Sequence, residues 1–438
     1  MNHSELKEVV EFFRLFFLDE RNRKKRSLKD VVDCLKKNGL KIDVSKLSRM
    51  EAGKANLTPL FIQDYLAAFQ IQPVRLDEWS ENYSKSKTEL GKSQRIVEEF
   101  MLYGLDVSSL KKAAQEFRAA DFANTYCRFD AQALSLYLGQ KEYSDSYLSR
   151  ELSYMEEVIN NTKHSIKIID SDIQALIYYT HGIHYMDLDD ETAAVMCFKQ
   201  AFKIADGKRF KHFPEMIRYA RLRATSQWAN LMEAVEECDF LIDFFNSGCL
   251  FNRTLDVQNL KGIYLVRAGQ YCYARRIFQD VLEFSKRFNF PTKVGYVGLN
   301  LVWLETSAGN YEKALKIHQT YQPGSYEFQR GRVYKPLCTY KLYGKQRALF
   351  ELCSLDFKGL YDEDLLFLKL FRLFLRDDPE FESVSERVRT QAQNLRFYEI
   401  VRWIFELQED WYEDRGNLEE LNQSLKNRME YEQLSVFF

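Results

Sequence analysis

Gly309-Asn310-Tyr311-Glu312-Lys313-Ala314 ends on an alanine that the chain has already placed at Ala194, Ala234 and Ala274, each 40 residues from the next. Phe198, Cys238, Phe278 and His318 stand four residues after the alanines, and Ala201, Leu241, Val281 and Tyr321 seven after them. A spacing of i, i+4, i+7 puts each trio on one helix face. The stretch from Ala175 to Tyr321 therefore reads as four helical blocks, beginning at Ala175, Glu215, Leu255 and Gly295. Small residues are needed where two helices cross closely, because a side chain there would hold the backbones apart. Gly182 and Ala194 meet that need in the first block and Gly262 and Ala274 in the third, while Leu222 and Val302 replace the glycine in the second and fourth.

Tyr178, Gly182, Tyr185, Ala194, Phe198 and Ala201 give the first block the spacing of a tetratricopeptide (TPR) repeat, which it resembles. The third block repeats the pattern after the turn Gly269-Gln270-Tyr271. The resemblance is strong in the second helix of each block and partial in the first. It implies helical hairpins stacked into a superhelix.

Composition agrees with an all-α chain. Seven prolines and 18 glycines in 438 residues leave few helix breakers, and 29% charged with 46% hydrophobic residues describe a soluble protein with a large core. The eight cysteines are scattered without a Cys-x-x-Cys pair and several fall on apolar helix stripes, so we expect buried reduced thiols and a cytoplasmic location. Met1 to Lys7 leads into acidic residues rather than a secretory signal, and the most apolar tract, Leu365 to Leu375, is too short to span a membrane and is interrupted by Lys369 and Arg372.

The overall charge of −2 conceals an asymmetry. From Arg21 to Lys54 there are 12 Lys and Arg against 4 Asp and Glu, a balance of +8 that leaves −10 for the rest. An amphipathic Phe-rich helix occupies residues 1 to 20. Ser27 is the expected N-cap of a helix Leu28 to Lys37 that buries Leu28, Val31, Val32 and Leu35, and Asn38-Gly39 ends it. A short second helix starts at Asp43 or Val44, and a third, Leu57 to Phe69, packs through Leu60, Ile62, Tyr65, Leu66 and Phe69.

The octet Leu47-Ser48-Arg49-Met50-Glu51-Ala52-Gly53-Lys54 resembles the recognition helix of the XRE/Cro-like helix-turn-helix family, matching at Leu47, Ser48, Met50, Glu51, Gly53 and Lys54. The chain departs from the family in its longer turn, Lys36 to Asp43. In such a motif the second helix enters the major groove of double-stranded DNA. With Leu47 and Met50 inward, Ser45, Lys46 and Arg49 face out, and Arg49 is the best candidate for a bidentate contact to guanine. Arg23, Lys24, Lys25, Arg26, Lys41 and Lys54 are candidates for phosphate.

The expected organisation is thus a DNA-binding domain over 1–72, a polar linker over 73–92, and a TPR-like domain over 93–438. Within the last, residues 175–321 form the regular repeats. Residues 325–438 supply capping and dimerisation helices, with the aromatic end Tyr431 to Phe438 docking on the array or on a second subunit. First helices of a TPR superhelix line its concave face. The positions expected there, as a peptide groove, are Tyr179, Tyr219, Arg223, Gln227, Asn259, Arg267, Trp303 and, one residue off register, Asn300. Amides bond a peptide backbone at donor and acceptor, and Arg holds a carboxylate.

His181 and His184, followed by Asp187, Asp189, Asp190 and Glu191, invite a metal reading. His181 falls at a core position of a first helix and Asp189-Asp190 at a helix start, where acids favour the dipole, so neither metal nor cofactor is expected. The chain lacks a phosphate-cradling Gly-x4-Gly-Lys-Ser/Thr loop, a Gly-x-Gly-x-x-Gly turn and a nucleophile motif, so we expect no enzyme.

An XRE-like helix-turn-helix joined to a TPR array resembles the RRNPP family of Gram-positive bacteria and their phages, the Rgg-, NprR-, PlcR-, PrgX- and arbitrium-receptor-type regulators. The resemblance implies a cytoplasmic, homodimeric transcription regulator of the quorum-sensing type, whose TPR groove binds a short signalling peptide. The alternative is a protein-contact role, as a TPR adaptor or a Rap-like response-regulator antagonist with a vestigial helix-turn-helix.

Overall fold

The computed structural model describes residues 13, 17, 21, 24–68, 76–103, 112, 128–140, 142–161, 170–188, 190–224, 231–320, 331–357, 360, 362–394 and 398–437. Among them every regular element is an α-helix. The chain divides into two compact units, residues 1–226 and 227–438.

The first unit begins with α1 (Leu28–Lys37), α2 (Val44–Glu51) and α3 (Pro59–Ala68). A capping box starts α1: Ser27 Oγ accepts from Asp30 N at 3.2 Å while Ser27 N donates to Asp30 Oδ2 at 2.7 Å. Asp43 starts α2, its Oδ1 accepting from Lys46 N at 2.7 Å. Phe13, Phe17, Val31, Val32, Leu35, Leu47, Met50, Phe61, Ile62, Tyr65 and Leu66 form one core. The long turn between α1 and α2 contributes to it, because Ile42 in that turn is buried with the rest. One expectation is corrected here: Leu60 is 70% exposed and Phe61 is buried instead. Phe61 lies one turn before Tyr65 and so shares its face, whereas Leu60 points away. Phe69 lies outside the described residues.

Most of the stretch expected as a linker is helical. Residues 76–103 are a single helix, α4 (Leu76–Tyr103), which the polar run Ser84 to Thr88 does not interrupt because it holds no proline or glycine. Leu90, Val97, Met101 and Leu102 are buried, and α4 packs on α5 (Arg128–Gly139). After α6 (Asp145–Asn161) come α7 (Ser171–Asp187), α8 (Glu191–Ile204) and α9 (Phe213–Ala224). The loop between α8 and α9 is gathered onto the fully buried Asp172. One carboxylate oxygen accepts from Asp206 N and Gly207 N, both at 3.0 Å, and the other from Arg209 N at 2.7 Å and Phe210 N at 3.2 Å. The same loop is held by Arg209 to Asp130 of α5 at 2.7 Å and by Lys211 N to Glu98 of α4 at 3.0 Å.

The second unit continues with α10 (Leu231–Ser247), α11 (Phe251–Arg267), α12 (Tyr271–Arg287), α13 (Pro291–Ser307) and α14 (Tyr311–Thr320). The second helices α8, α10, α12 and α14 start at 191, 231, 271 and 311, which is the period read from the alanines. Ala194, Ala234, Ala274 and Ala314 are each 0% exposed. The glycines answer to the aromatic one helix on: a Cβ on Gly182 would sit 2.6 Å from the Phe198 ring, and one on Gly262 would overlap Phe278 in the same way. In the blocks where Leu222 and Val302 replace glycine, the matching second-helix residue is Cys238 or His318 rather than Phe. Gly269 (φ 70°) and Gly309 (φ 76°) take the left-handed turns inside their hairpins. Glu305 of α13 is fully buried and joins three helices. It accepts from Arg275 of α12 (Nε 2.7 Å, Nη2 2.9 Å), from Asn310 at 2.9 Å and from Lys313 of α14 at 2.6 Å.

Six further helices complete this unit: α15 (Gly331–Tyr343), α16 (Lys345–Cys353), α17 (Asp362–Leu375), α18 (Glu380–Asn394), α19 (Tyr398–Asp414) and α20 (Leu418–Phe437). The apolar tract of α17 belongs to an aromatic core of Phe367, Phe371, Phe374, Phe381, Trp403 and Trp411. Among the described residues no helix is long and apolar enough to cross a membrane. Tyr431 docks against this core, its ring 6.0 Å from Phe405. Cys238 and Cys338 are buried as expected, whereas Cys249, Cys272 and Cys353 are exposed and Cys127 lies outside the described residues.

Candidate functional site

Two surfaces carry the residues singled out by sequence. The first is the outer side of α2. Ser45, Lys46 and Arg49 are exposed on it, opposite the buried Leu47 and Met50, and Lys24, Lys25, Lys41 and Lys54 are exposed around it. Arg26 is half-buried, and Arg23 lies outside the described residues. Lys36 and Lys41 border an open depression of about 490 Å³ lined by the turn residues Gly39 to Asp43.

What holds this face rigid is the motif acid. Glu51 is buried and accepts from Arg21 Nε at 3.1 Å and Nη2 at 3.0 Å, and from Tyr65 OH at 3.2 Å. Burial, and then the Glu51 charge, push the Tyr65 phenol well above its ordinary value, so it stays a hydrogen-bond donor. Phe17 stacks on Tyr65 with ring centroids 3.7 Å apart. The glycine of the octet is explained by its backbone: Gly53 has φ 71°, which lets Lys54 N and Ala55 N return to Arg49 O at 2.7 and 3.1 Å. Sequence reasoning matched Glu51 and Gly53 without assigning them these roles, and it missed Arg21, whose signal is a basic residue one core turn after Phe17.

The second surface is the set of first helices, taken in each unit by itself. In the first unit the outcome differs from expectation. Tyr179 is buried among Tyr137, Phe198 and Phe213, with centroids 6.0, 5.6 and 5.5 Å away, so it is a packing residue rather than a groove residue. Tyr219 is buried as well, with the exposed Arg223 guanidinium 5.8 Å from its ring centroid. Gln227 lies outside the described residues. His181 and His184 are drawn to different partners, His181 Nδ1 to Glu156 Oε1 at 2.5 Å and His184 Nε2 to Ser149 Oγ at 2.8 Å. Asp190 caps α8 through Ala193 N at 3.0 Å.

In the second unit two of the expected residues meet. Asn300 Nδ2 of α13 donates to Asn259 Oδ1 of α11 at 2.9 Å. The pair consumes one donor and one acceptor, and two carboxamides carry more of both, suited to the N–H and C=O of an extended chain. Trp303, one turn from Asn300, is buried, and among the described residues its indole N–H has no partner. A buried donor without an acceptor costs about 1–3 kcal/mol, which an incoming carbonyl would recover. Arg267 is exposed at the end of α11.

Sequence reasoning missed the charged half of this face. Asp256 of α11 accepts from Lys293 Nζ and, at 3.0 Å, from Tyr296 OH of α13, while Arg253 Nη1 reaches its other oxygen at 3.3 Å. Lys293 is only 6% exposed; burial lowers its ammonium pKa, against the Asp256 charge. Lys293, Tyr296, Asn300 and Trp303 follow one another at i, i+3, i+7, i+10, a spacing that marks a single face of α13.

No family model matches the chain, and no curated protein matches it. Among solved structures, twelve chains match. One is NprR in complex with its cognate peptide NprX, with a TM-score of 0.56 and 15% sequence identity over 77% of this chain and 98% of that one. The chain therefore has the all-helical, TPR-like fold of NprR.

Proposed function

We propose that this chain is a cytoplasmic transcription regulator that binds double-stranded DNA through α2 and is controlled by a short signalling peptide held on its first helices. The observation that carries the reading is the presence, in one chain with an NprR-like fold, of an exposed basic helix face on a clamped scaffold and of an amide-rich helix face. On the DNA side, α1 to α3 act as the XRE-like helix-turn-helix, with Arg49 reading bases and Lys46, Lys41 and Lys54 holding phosphates. A homodimer would present two such helices to successive half-sites. On the peptide side, the solved NprR structure contains its peptide NprX. In this chain Asn259 and Asn300 offer carboxamides for a peptide backbone and Trp303 a further donor. Peptide binding then shifts the population between dimer geometries that differ in DNA affinity.

The test is selection of bound duplexes from a genomic pool at low salt, where phosphate contacts are strongest. The comparison protein carries Lys46→Ala and Arg49→Ala. A two-fold symmetric site enriched by the wild type and lost by the variant is expected. Peptides encoded beside that site should then bind, and Asn259→Ala should weaken them. Absence of enrichment, both alone and with short peptides encoded near the protein's own gene, would refute the DNA-binding reading in favour of a protein-contact role.

A further inference from the structure

We propose that Glu156, His181 and Cys197 form a binding site for a zinc-class divalent cation, independent of any DNA or peptide function. The three residues come from three successive helices, α6, α7 and α8. Their donor atoms, a carboxylate oxygen, an imidazole nitrogen and the thiol sulfur, all lie within 4.8 Å of one another. Tetrahedral zinc takes Cys, His and carboxylate ligands at bond lengths of about 2.0–2.3 Å, which sets its donor atoms roughly 3.5 Å apart. Rotamer adjustments of about 1 Å bring this trio to that spacing, with water in the fourth position.

The rest of the site suits a metal. His181 is buried and its ring is stacked on Tyr185 with centroids 4.5 Å apart, which fixes the plane of the imidazole. Glu156 already meets His181 Nδ1 at 2.5 Å, so two of the three donors are aligned before the cation arrives. One thiolate and one carboxylate neutralise a divalent charge, which a half-buried site requires. The repeat does not account for the cluster. At the position of His181 the next two blocks have Arg221 and Lys261, and Lys261 pairs with Asp239 at 2.5 Å as an ordinary ion pair. At the position of Cys197 the later blocks have Glu237, Ile277 and Ile317. Only the first block replaces the fixed cation by a titratable nitrogen and sets a sulfur beside it. Binding releases the thiol proton to solvent, so affinity falls as pH falls.

The experiment is titration of the untagged, chelator-treated full chain with cobalt(II). One equivalent should produce the thiolate-to-cobalt charge-transfer absorption together with the intense visible bands of tetrahedral cobalt, and zinc(II) should displace both. Cys197→Ser should abolish the charge-transfer band, while Cys272→Ser, at an exposed thiol, should keep it. His181→Gln should weaken binding by more than about a hundredfold, beyond the loss typical of outer-shell changes. Helical circular dichroism of each variant separates loss of the site from loss of the fold. A wild type without the band, or a band that survives Cys197→Ser in a folded protein, would overturn the proposal and leave Glu156–His181 as a simple hydrogen bond.

Discussion

Glu305→Gln tests how much of the repeat array rests on one buried charge. The substitution keeps the side-chain volume and one acceptor oxygen but removes the anion that Arg275 and Lys313 both meet. A hydrogen bond to a charged group contributes about 1.5–3 kcal/mol, and removing one partner of a buried pair costs about 3–5 kcal/mol. The two cations retain side-chain exposures of 22% and 48%, so water can take over part of their solvation. A loss near the lower bound, about 3 kcal/mol, is therefore expected. The pH dependence supplies an independent number. Burial pushes the carboxyl upward, but the bonds from Arg275, Lys313 and Asn310 outweigh it and hold Glu305 at about 2 against an ordinary 4.5. A depressed folded-state pKa gives stability that is complete above 4.5 and lost as pH falls toward about 2. Between about pH 6 and about pH 3.5 the wild type should lose roughly 1 kcal/mol relative to the variant, since one pKa unit is 1.36 kcal/mol. Urea titrations of both proteins at several pH values, followed by tryptophan fluorescence, read both quantities, with Trp303 one turn or less from the site. Coincident midpoints at neutral pH would refute the assigned role, and a gap that stays constant as pH falls would refute its electrostatic origin.

Three further outcomes are expected. Gly262→Ala drives a methyl into the Phe278 ring and should cost about 1–3 kcal/mol, with Phe278→Leu restoring part of the loss. Gly91→Ala, in α4 with nothing within 4 Å of its Cβ, should instead stabilise by about 0.5–1 kcal/mol; thermal melts of the variants check the contrast. Asp172→Asn replaces one of the two oxygens that gather the α8–α9 loop by an N–H donor facing other donors, and should lower stability by about 2–4 kcal/mol while exposing that loop to limited proteolysis. Glu409, which burial and then nearby Glu406 and Asp410 push up to about 7 despite Arg428, makes a contribution that is complete below 4.5 and lost as pH rises through about 7. Glu409→Gln should therefore raise the melting temperature at about pH 8 by a few degrees and leave it nearly unchanged at about pH 5.

Much of this fold was legible because its strongest constraint is periodic. Alanines at a 40-residue spacing mark helix crossings, and a crossing admits only small residues, so Ala194, Ala234, Ala274 and Ala314 announce the hairpins before any contact is known. Helix starts were equally readable where a side chain caps its own backbone, as at Ser27 and Asp43. What was not legible depends on which residues neighbouring helices supply. Tyr179 sits at a position that points inward in the repeat, yet three aromatic rings from α5, α8 and α9 close over it. The run Ser84 to Thr88 was polar enough to read as part of a linker, but a polar run without proline or glycine can also continue a helix. The pairing of Asn259 with Asn300 was reachable from register, whereas the Asp256–Lys293 pair was not, because a charged residue in a helix's first turn normally faces water. Glu51 shows a different limit, since the motif named it and only the fold revealed Arg21 and Tyr65 as its reasons.

The loop between α8 and α9 is tied at once to Asp172 of α7, Asp130 of α5 and Glu98 of α4. Such a joint cannot serve as a hinge. If α9 tilts against α7, it must either surrender four backbone hydrogen bonds together or drag α4 along, and α4 is the helix that follows α3 in the chain. The stiffness of that one loop thus couples α9 to α4: a tilt of α9 is passed to α4 as movement rather than being absorbed as slack.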